Sequence, residues 1–394
     1  MHLATVNVTW QSSRMTVQAS NKTLRVLGFM TGTSLDAVDM AVLETDGHDI
    51  IGFGPAGEMK LDPDTREALE YAIEDAFDWE RDEEEPESFD DARAAVADAH
   101  LAASLSFMAM NGVKTSSLDL VGVHGQTVLH EAPTEEQVGR TVQLIDAQAV
   151  ADGLGRPVVF DFRTADVAAG GQGAPLAPVY HAALVRYSGL SGPVAVLNLG
   201  GVGNITLVRA DGELEAFDTG PANGMVDLLV QSRTRKRMDE NGALARAGTV
   251  DEAVLADYLS HPYFKTTGPK SLDRFDFSLD AVEHLAIEDA AATLTAFAAQ
   301  AVALGVGRCS EAPKEVIVCG GGRRNPVLMD AIRSRLSMPV TTAEDKGWRG
   351  DSIEAEAFAY LAARSHLGLP ISFPGTTGVT QPLTGGQTVL PGDE

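Results

Sequence analysis

Apolar residues along this chain fall into short runs broken by stretches of glycine, hydroxyls or acids. The runs at 25–30 and 40–43 flank Thr31-Gly32-Thr33-Ser34, so the spacing predicts a β-hairpin with a tip of small residues, followed at once by Asp36 and Asp39. A helix beginning at Leu35 and capped by Thr33 or Ser34 fits the same residues, and this segment alone does not choose between them. A further strand is expected over 50–59, then a helix over 64–76 that places Leu69, Ala72, Ile73 and Ala76 on one face. Residues 74–91 are dense in acid and read as a solvated loop or frayed helix. An alanine-rich helix resumes over 92–110, and buried strands are expected at 118–123, 141–145 and 158–160, the first ending at His124-Gly125-Gln126-Thr127.

The strand at 158–160 delivers Asp161, Arg163 and Asp166 to the loop Gly170-Gly171-Gln172-Gly173. Polar groups at the end of a buried strand, ahead of a glycine-rich loop, mark a site. Asp161 and Arg163 could equally pair with each other or brace that loop. Residues 194–208 repeat the opening design, with two apolar strands around Asn198-Leu199-Gly200-Gly201-Val202-Gly203-Asn204. Residues 217–223 read as a turn rich in oxygen ligands, with a helix starting over 225–229. The charge-free run 290–307 has the length of a membrane span, but its alanines, Thr293, Thr295 and Gln300 fit a buried helix. A strand at 315–319 leads into Gly320-Gly321-Gly322, and Asn325-Pro326 opens a helix reaching 336; bare backbone at such a turn suits a nucleotide. An amphipathic helix over 350–364 carries Asp351 and Glu354 near its start.

With 394 residues the chain can fill two domains. Its 56 acidic against 30 basic residues give a net charge of −26, which repels nucleic acid and anionic membranes and argues against both as partners. Two cysteines, Cys309 and Cys319, are too few for a disulfide framework, and residues 1–23 lack the apolar core of a signal peptide. A cytoplasmic protein with a loose N-terminal extension is the expectation.

Gly32 lets backbone approach a ligand closely, Thr33 and Ser34 add hydroxyl donors, and Asp36 can hold a hydrated cation, a set that suits phosphate with Mg²⁺. Two such glycine hairpins in successive halves, then a strand-GGG-helix turn, point to a duplicated α/β fold with a nucleotide between its halves. The order resembles the sugar kinase, Hsp70 and actin superfamily, whose members share a two-lobed, ribonuclease H-like fold. Within it the chain is similar to the anhydro-N-acetylmuramic acid kinase family from about residue 27 onward. The resemblance is carried by GFMTGTSLDAVDMAVLE from Gly28, HGQTVLHEAP from His124, DFRTADVAAGGQGAPLAP from Asp161 and NLGGVGNIT from Asn198. FDTGPANGMVD from Phe217, HPYFKTTGPKS from His261, CGGGRRNPVLM from Cys319 and EAEAFAYLA from Glu354 complete it. Thr31, Ala37, Ala222, Gly224 and Leu272-Asp273-Arg274 depart from the family's usual residues.

The resemblance implies an ATP-dependent reaction in which water opens a 1,6-anhydro amino sugar and the freed O6 takes the γ-phosphoryl group. It implies that Gly32, Thr33, Ser34, Leu35, Asp36, Ala37, Val38 and Asp39 grip the β- and γ-phosphates, with Asp36 holding Mg²⁺ through water. Gly200, Gly201 and Asn204 would close from the other lobe, and Gly320, Gly321, Gly322 and Asn325 would face the adenosine. Asp166, the carboxylate before the glycine loop, is assigned as the general base, since neutral water is a weak nucleophile. His124, Gln126, Arg163 and Gln172 are candidate sugar contacts. Glu354 is a candidate for orienting water or a sugar hydroxyl, or an acid stabilised by its helix N-terminus. The expected division is 1–23 extension, 24–150 first lobe and 151–394 second lobe, with the last helix packing back on the first; the family implies a homodimer. A kinase for another anhydro sugar such as levoglucosan, and an ATP-driven switch without sugar chemistry, are the alternatives.

Overall fold

A computed structural model describes residues 22–32, 35–134, 136–266, 272 and 276–392. Thr33 and Ser34, both expected at the phosphates, and the extension up to residue 21 lie outside the described residues. The chain builds strands β1 (Leu24–Thr31), β2 (Ala37–Thr45), β3 (Ile50–Lys60), β4 (Leu120–Val123), β5 (Gln126–Glu131), β6 (Arg140–Leu144) and β7 (Val158–Phe160). After these come β8 (Val194–Leu199), β9 (Val202–Val208), β10 (Leu214–Pro221), β11 (Val316–Cys319), β12 (Val340–Thr342) and β13 (Gln387–Val389). The larger helices are α1 (Pro63–Asp78), α2 (Ser88–Asn111), α3 (Ala147–Leu154), α4 (Thr164–Ala168), α5 (Pro178–Tyr187) and α6 (Asn223–Arg233). They continue with α7 (Ala243–Ala247), α8 (Glu252–Leu259), α9 (Ile287–Val306), α10 (Pro326–Arg333) and α11 (Ile353–His366).

Eleven of the strands form two sheets with one shared plan, and β5 and β6 pair apart from them as an antiparallel two-stranded sheet. In the first, β1, β2 and β3 make an antiparallel meander and β4 and β7 add in parallel on the other side of β1, in the order β13-β7-β4-β1-β2-β3. In the second, β8, β9 and β10 make the meander and β11 and β12 add in parallel beside β8. This repeat is the duplicated α/β fold expected from the two glycine hairpins. The strand residues 158–160 and 387–389, assigned to the second lobe from sequence, belong instead to the first sheet. Of the turn expected over 217–223, residues 217–221 belong to β10, because their backbone completes the ladder on β9.

Alternation along the strands sends Val26, Leu43 and Leu120 to one face of the first sheet, and Leu27, Phe29, Met40, Val42 and Val121 to the other. The second face packs on α1, α2 and α3. The first face shares a core with α5, α11 and the second sheet, so these two helices lie between the lobes. That position explains why α11, read as amphipathic, is buried almost all round from Ile353 to Arg364. Its one deeply buried acid, Glu356, accepts from the Tyr180 hydroxyl at 2.5 Å and from Arg349 Nε at 2.6 Å, while Arg349 Nη1 donates to Gly54 O at 2.5 Å. The α1 helix starts where Asp62 caps Thr65 N at 2.9 Å and Pro63 opens the first turn. The acidic stretch after it is helical at both ends, in α1 and α2, and irregular between them.

Candidate active site

The opening segment is a β-hairpin: β1 and β2 pair antiparallel, and Leu35 and Asp36 lead straight into β2, so no helix begins at Leu35. Leu35 N donates to Gly32 O at 3.3 Å. Leu35 takes φ +51°, a left-handed backbone that a bulky side chain adopts at a cost in strain, and its buried side chain holds it in place. Beneath the tip, the Thr31 hydroxyl lies 3.3 Å from Nε2 of the buried His100, whose Nδ1 lies 2.7 Å from Val96 O. A carbonyl only accepts, so Nδ1 carries the hydrogen and the Thr31 hydroxyl donates to Nε2. Burial pushes the His100 pKa down to about 4, which keeps the ring neutral for that role.

A cavity of about 390 Å³ opens between the lobes, with Met30, Arg163, Asn198, Gly200, Gly320 and Glu354 among its walls. The second hairpin enters it with its carbonyls already engaged, since Asn223 N donates to Gly200 O and Ala222 N and Gly224 N donate to Gly201 O. Asn204 donates through Nδ2 to Asp218 at 2.8 Å, which fixes its side chain. At the late glycine turn, Gly320 takes φ +75° and a Cβ there would lie 2.2 Å from Asn198 Oδ1, so only glycine fits; at Gly321 a Cβ would meet open space. Asn325 Oδ1 accepts from Val327 N and Leu328 N as the cap of α10, leaving its amide NH₂ for a ligand.

Glu354, in the first turn of α11, lines the cavity and is exposed there. Desolvation holds its carboxyl above the ordinary value, against the opposing pull of Arg163 and of Asn198 Nδ2, 3.5 Å away. Arg163 braces the glycine loop rather than pairing with Asp161: its Nε donates to His124 Nε2 at 3.0 Å and its Nη1 to Gly173 O at 2.8 Å. Asp161 accepts from Gln387 Nε2 at 2.7 Å. Burial, then the Arg163 charge, hold His124 well below the usual imidazole value, so it accepts as a neutral ring.

Asp166 lies under the same loop, 1% exposed, and does not line the cavity. Its Oδ1 accepts from Gly173 N at 2.6 Å and its Oδ2 from the Thr377 hydroxyl at 2.5 Å. Gln172 is tied by its backbone, N to Thr377 O at 2.7 Å and O to His130 Nε2 at 2.9 Å. Gln126 is buried, and its Oε1 has no hydrogen-bond partner among the described residues. Sequence reasoning passed over Thr377, His100 and His181, which bonds Thr206 Oγ1 at 2.9 Å below the cavity. A histidine inside an apolar helix was the available signal for the last two; Thr377 carries none.

Negative charge gathers at the mouth of the first hairpin. Burial, and after it Glu354, Glu58, Asp36 and Asp351, push the Asp39 pKa from 3.8 up to about 7. Asp36 reaches across to Arg237, Oδ2 to Nη2 3.7 Å. Between about pH 4 and pH 7 the folded state therefore keeps a proton on Asp39 that the unfolded chain has lost, and stability falls as pH rises through that window. Asp39→Asn should raise the urea midpoint relative to wild type at pH 8 and leave it unchanged at pH 4. An equal effect at both values would place the raised acid elsewhere.

A family model described as anhydro-N-acetylmuramic acid kinase matches residues 24–390. The anhydro-N-acetylmuramic acid kinase of Caulobacter vibrioides is 63% identical over 366 residues, which cover 93% of this chain and 99% of that one. Its counterpart from Phenylobacterium zucineum is 61% identical over 368 residues, 93% of this chain and 100% of that one. A solved ROK family glucokinase from Streptomyces griseus, in complex with glucose and AMPPNP, covers 86% of this chain and 99% of its own at 13% identity. Its TM-score of 0.42 is too low to carry an argument. With its motifs in order and the match running through both lobes, the chain belongs to the anhydro-N-acetylmuramic acid kinase family.

Proposed function

We propose that this protein uses ATP and water to open the 1,6-anhydro ring of anhydro-N-acetylmuramic acid and phosphorylates O6, giving N-acetylmuramic acid 6-phosphate and ADP. The observation that carries the reading is family membership over both lobes, joined to a cavity that brings the second hairpin, the late glycine turn, Arg163 and Glu354 together. Water attacks the anomeric carbon and gives its proton to a base. The bond from that carbon to the bridging oxygen breaks, its electron pair stays on O6, and O6 displaces ADP from the γ-phosphorus.

Asp166 is the proposed base. A carboxylate offers about four lone-pair positions, and the bonds from Gly173 and Thr377 use two, so acceptor capacity remains. Arg163 feels the charge of both Glu354 and Asp166, so the cavity acid and the loop acid share one nearby cation. Glu354 orients water or a sugar hydroxyl from the open side, while His124, Arg163 and Gln172 hold the loop that meets the sugar. Hairpin residues 32–39 and 200–204 take the phosphates, and 320–322 with Asn325 the adenosine.

The residues present fit Mg²⁺. Burial, and after it the neighbouring carboxylates, push the Asp39 pKa up to about 7, and a divalent cation would offset the carboxylate charge. Among the described residues no group of three or more His, Cys, Asp or Glu is arranged to hold a metal by itself. The ion would be held by one or two carboxylates, here Asp36 and Asp39, together with substrate phosphates. Bound there, Mg²⁺ would neutralise charge on the transferring phosphoryl group. A cytoplasmic homodimer belongs to the same reading.

ADP release should depend on added anhydro-N-acetylmuramic acid and on Mg²⁺, with levoglucosan and ordinary amino sugars as the panel. In ¹⁸O-labelled water, label should appear at C1 of the product and none in its phosphate. Equal ADP release with and without sugar would instead describe an ATPase switch.

A further inference from the structure

Asp227, on α6, lines two cavities at once. One, of about 690 Å³, runs from Gly201 and Val202 of the second hairpin to the exposed cations Arg235, Lys236 and Arg237. The other, of about 340 Å³, runs along Gly321 and Asn325 of the late glycine turn, with Met238 on its wall. Asp227 is partly buried and makes no hydrogen bond or ion pair among the described residues. Neighbouring Asp239 is not in that state, because its two oxygens accept from Leu244 N at 2.8 Å and Ala245 N at 3.1 Å. Burial, then the Asp239 charge, push the Asp227 pKa up to about 6, as expected of a carboxylate lacking donors.

An acceptor left in part-buried surroundings without a donor is costly, and a ligand that brings donors removes the cost. The chemistry of the two cavities says which ligand group arrives. Cations and hairpin N–H groups on one side suit phosphates, and bare glycine backbone with an apolar methionine on the other suits a base. What joins phosphate to base in a nucleotide is a ribose, a vicinal diol with two hydroxyl donors. We infer that Asp227 accepts from the ribose 2′- and 3′-hydroxyls, so that it sets the preference for ribonucleotides over deoxyribonucleotides. The inference rests on the nucleotide placement given above and adds a residue with a role of its own.

Calorimetric titration of the full chain at pH 8 with ADP, 2′-deoxyADP and 3′-deoxyADP tests it. Wild type should bind ADP roughly tenfold or more tightly than either deoxy analogue, the scale of a hydrogen bond to a charged acceptor. Asp227→Ala should bind all three within about twofold of one another, and Asp227→Asn, which keeps one oxygen acceptor, should fall between. Wild-type indifference to the missing hydroxyls would overturn the inference without any variant, and so would a full preference surviving in Asp227→Ala. No binding of ADP at all would sink the nucleotide placement itself, and the inference with it.

Discussion

Replacing Asp166 by asparagine is expected to lower kcat by ~10²-fold or more while ADP binds with near-native affinity. The amide is nearly isosteric and can keep both contacts, its oxygen accepting from Gly173 N and its NH₂ donating to the Thr377 hydroxyl. The loop it supports should therefore stay in place. What asparagine cannot do is take a proton from water, so the loss falls on the transition state rather than on either ground-state complex. Thr377→Val separates this role from bracing: it removes one donor to Asp166 yet leaves a carboxylate, and should raise KM for the sugar more than it lowers kcat. If Asp166→Asn instead kept near-native kcat and only weakened sugar binding, Asp166 would be a brace for the glycine loop. Glu354, open to the cavity and with its carboxyl held above the ordinary value, would then be the base.

Gly28→Ala should cost the fold ~3 kcal/mol, at the upper end for an overpacked core. Gly28 sits on β1 against α11, and a Cβ there would lie 2.1 Å from Ala355 O and 2.4 Å from Ala359 N. These are backbone atoms in a helix held on both sides, so neither can swing away as a side-chain end would. Gly122 on β4 makes the same demand, with Phe358 O at 2.5 Å from its would-be Cβ. A helix pushed outward also moves Glu354 in its first turn, so the folded fraction of the variant should lose activity as well. Gly57→Ala is the control, since a Cβ on that β3 residue meets Phe107 at an ordinary 3.7 Å. Urea midpoints at unchanged m measure the difference. A Gly28→Ala midpoint within error of Gly57→Ala would mean that α11 does not lie on the first sheet as closely as described.

The sequence alone determined the features that depend on neighbours along the chain. Apolar runs around Gly200 read as paired strands with a tight tip; those around Gly32 fitted either that or a capped helix, and the pairing of β1 with β2 decides for the strands. The strand into Gly320, the cap at Asn325 and the buried helix α9, charge-free from residue 290, were equally legible, each from one local rule of backbone freedom, capping or periodicity. Tertiary structure decided whatever depends on distant segments. The helix over 350–364 reads as amphipathic until two sheets close on both sides of α11 and bury Glu356 together with its alanines. Asp166 is turned inward by a hydroxyl 211 residues further on, Asp36 meets Arg237 from the opposite lobe, and β13 returns from the end of the chain to pair with β7. Residues 217–223 looked like a turn because Asp218, Gly220, Pro221 and Asn223 are poor strand formers in isolation, and only the ladder on β9 draws 217–221 into a strand. Local sequence fixes which backbone shapes are cheap. Which carboxylate ends up buried, paired or left without a donor is set by what the folded chain brings beside it.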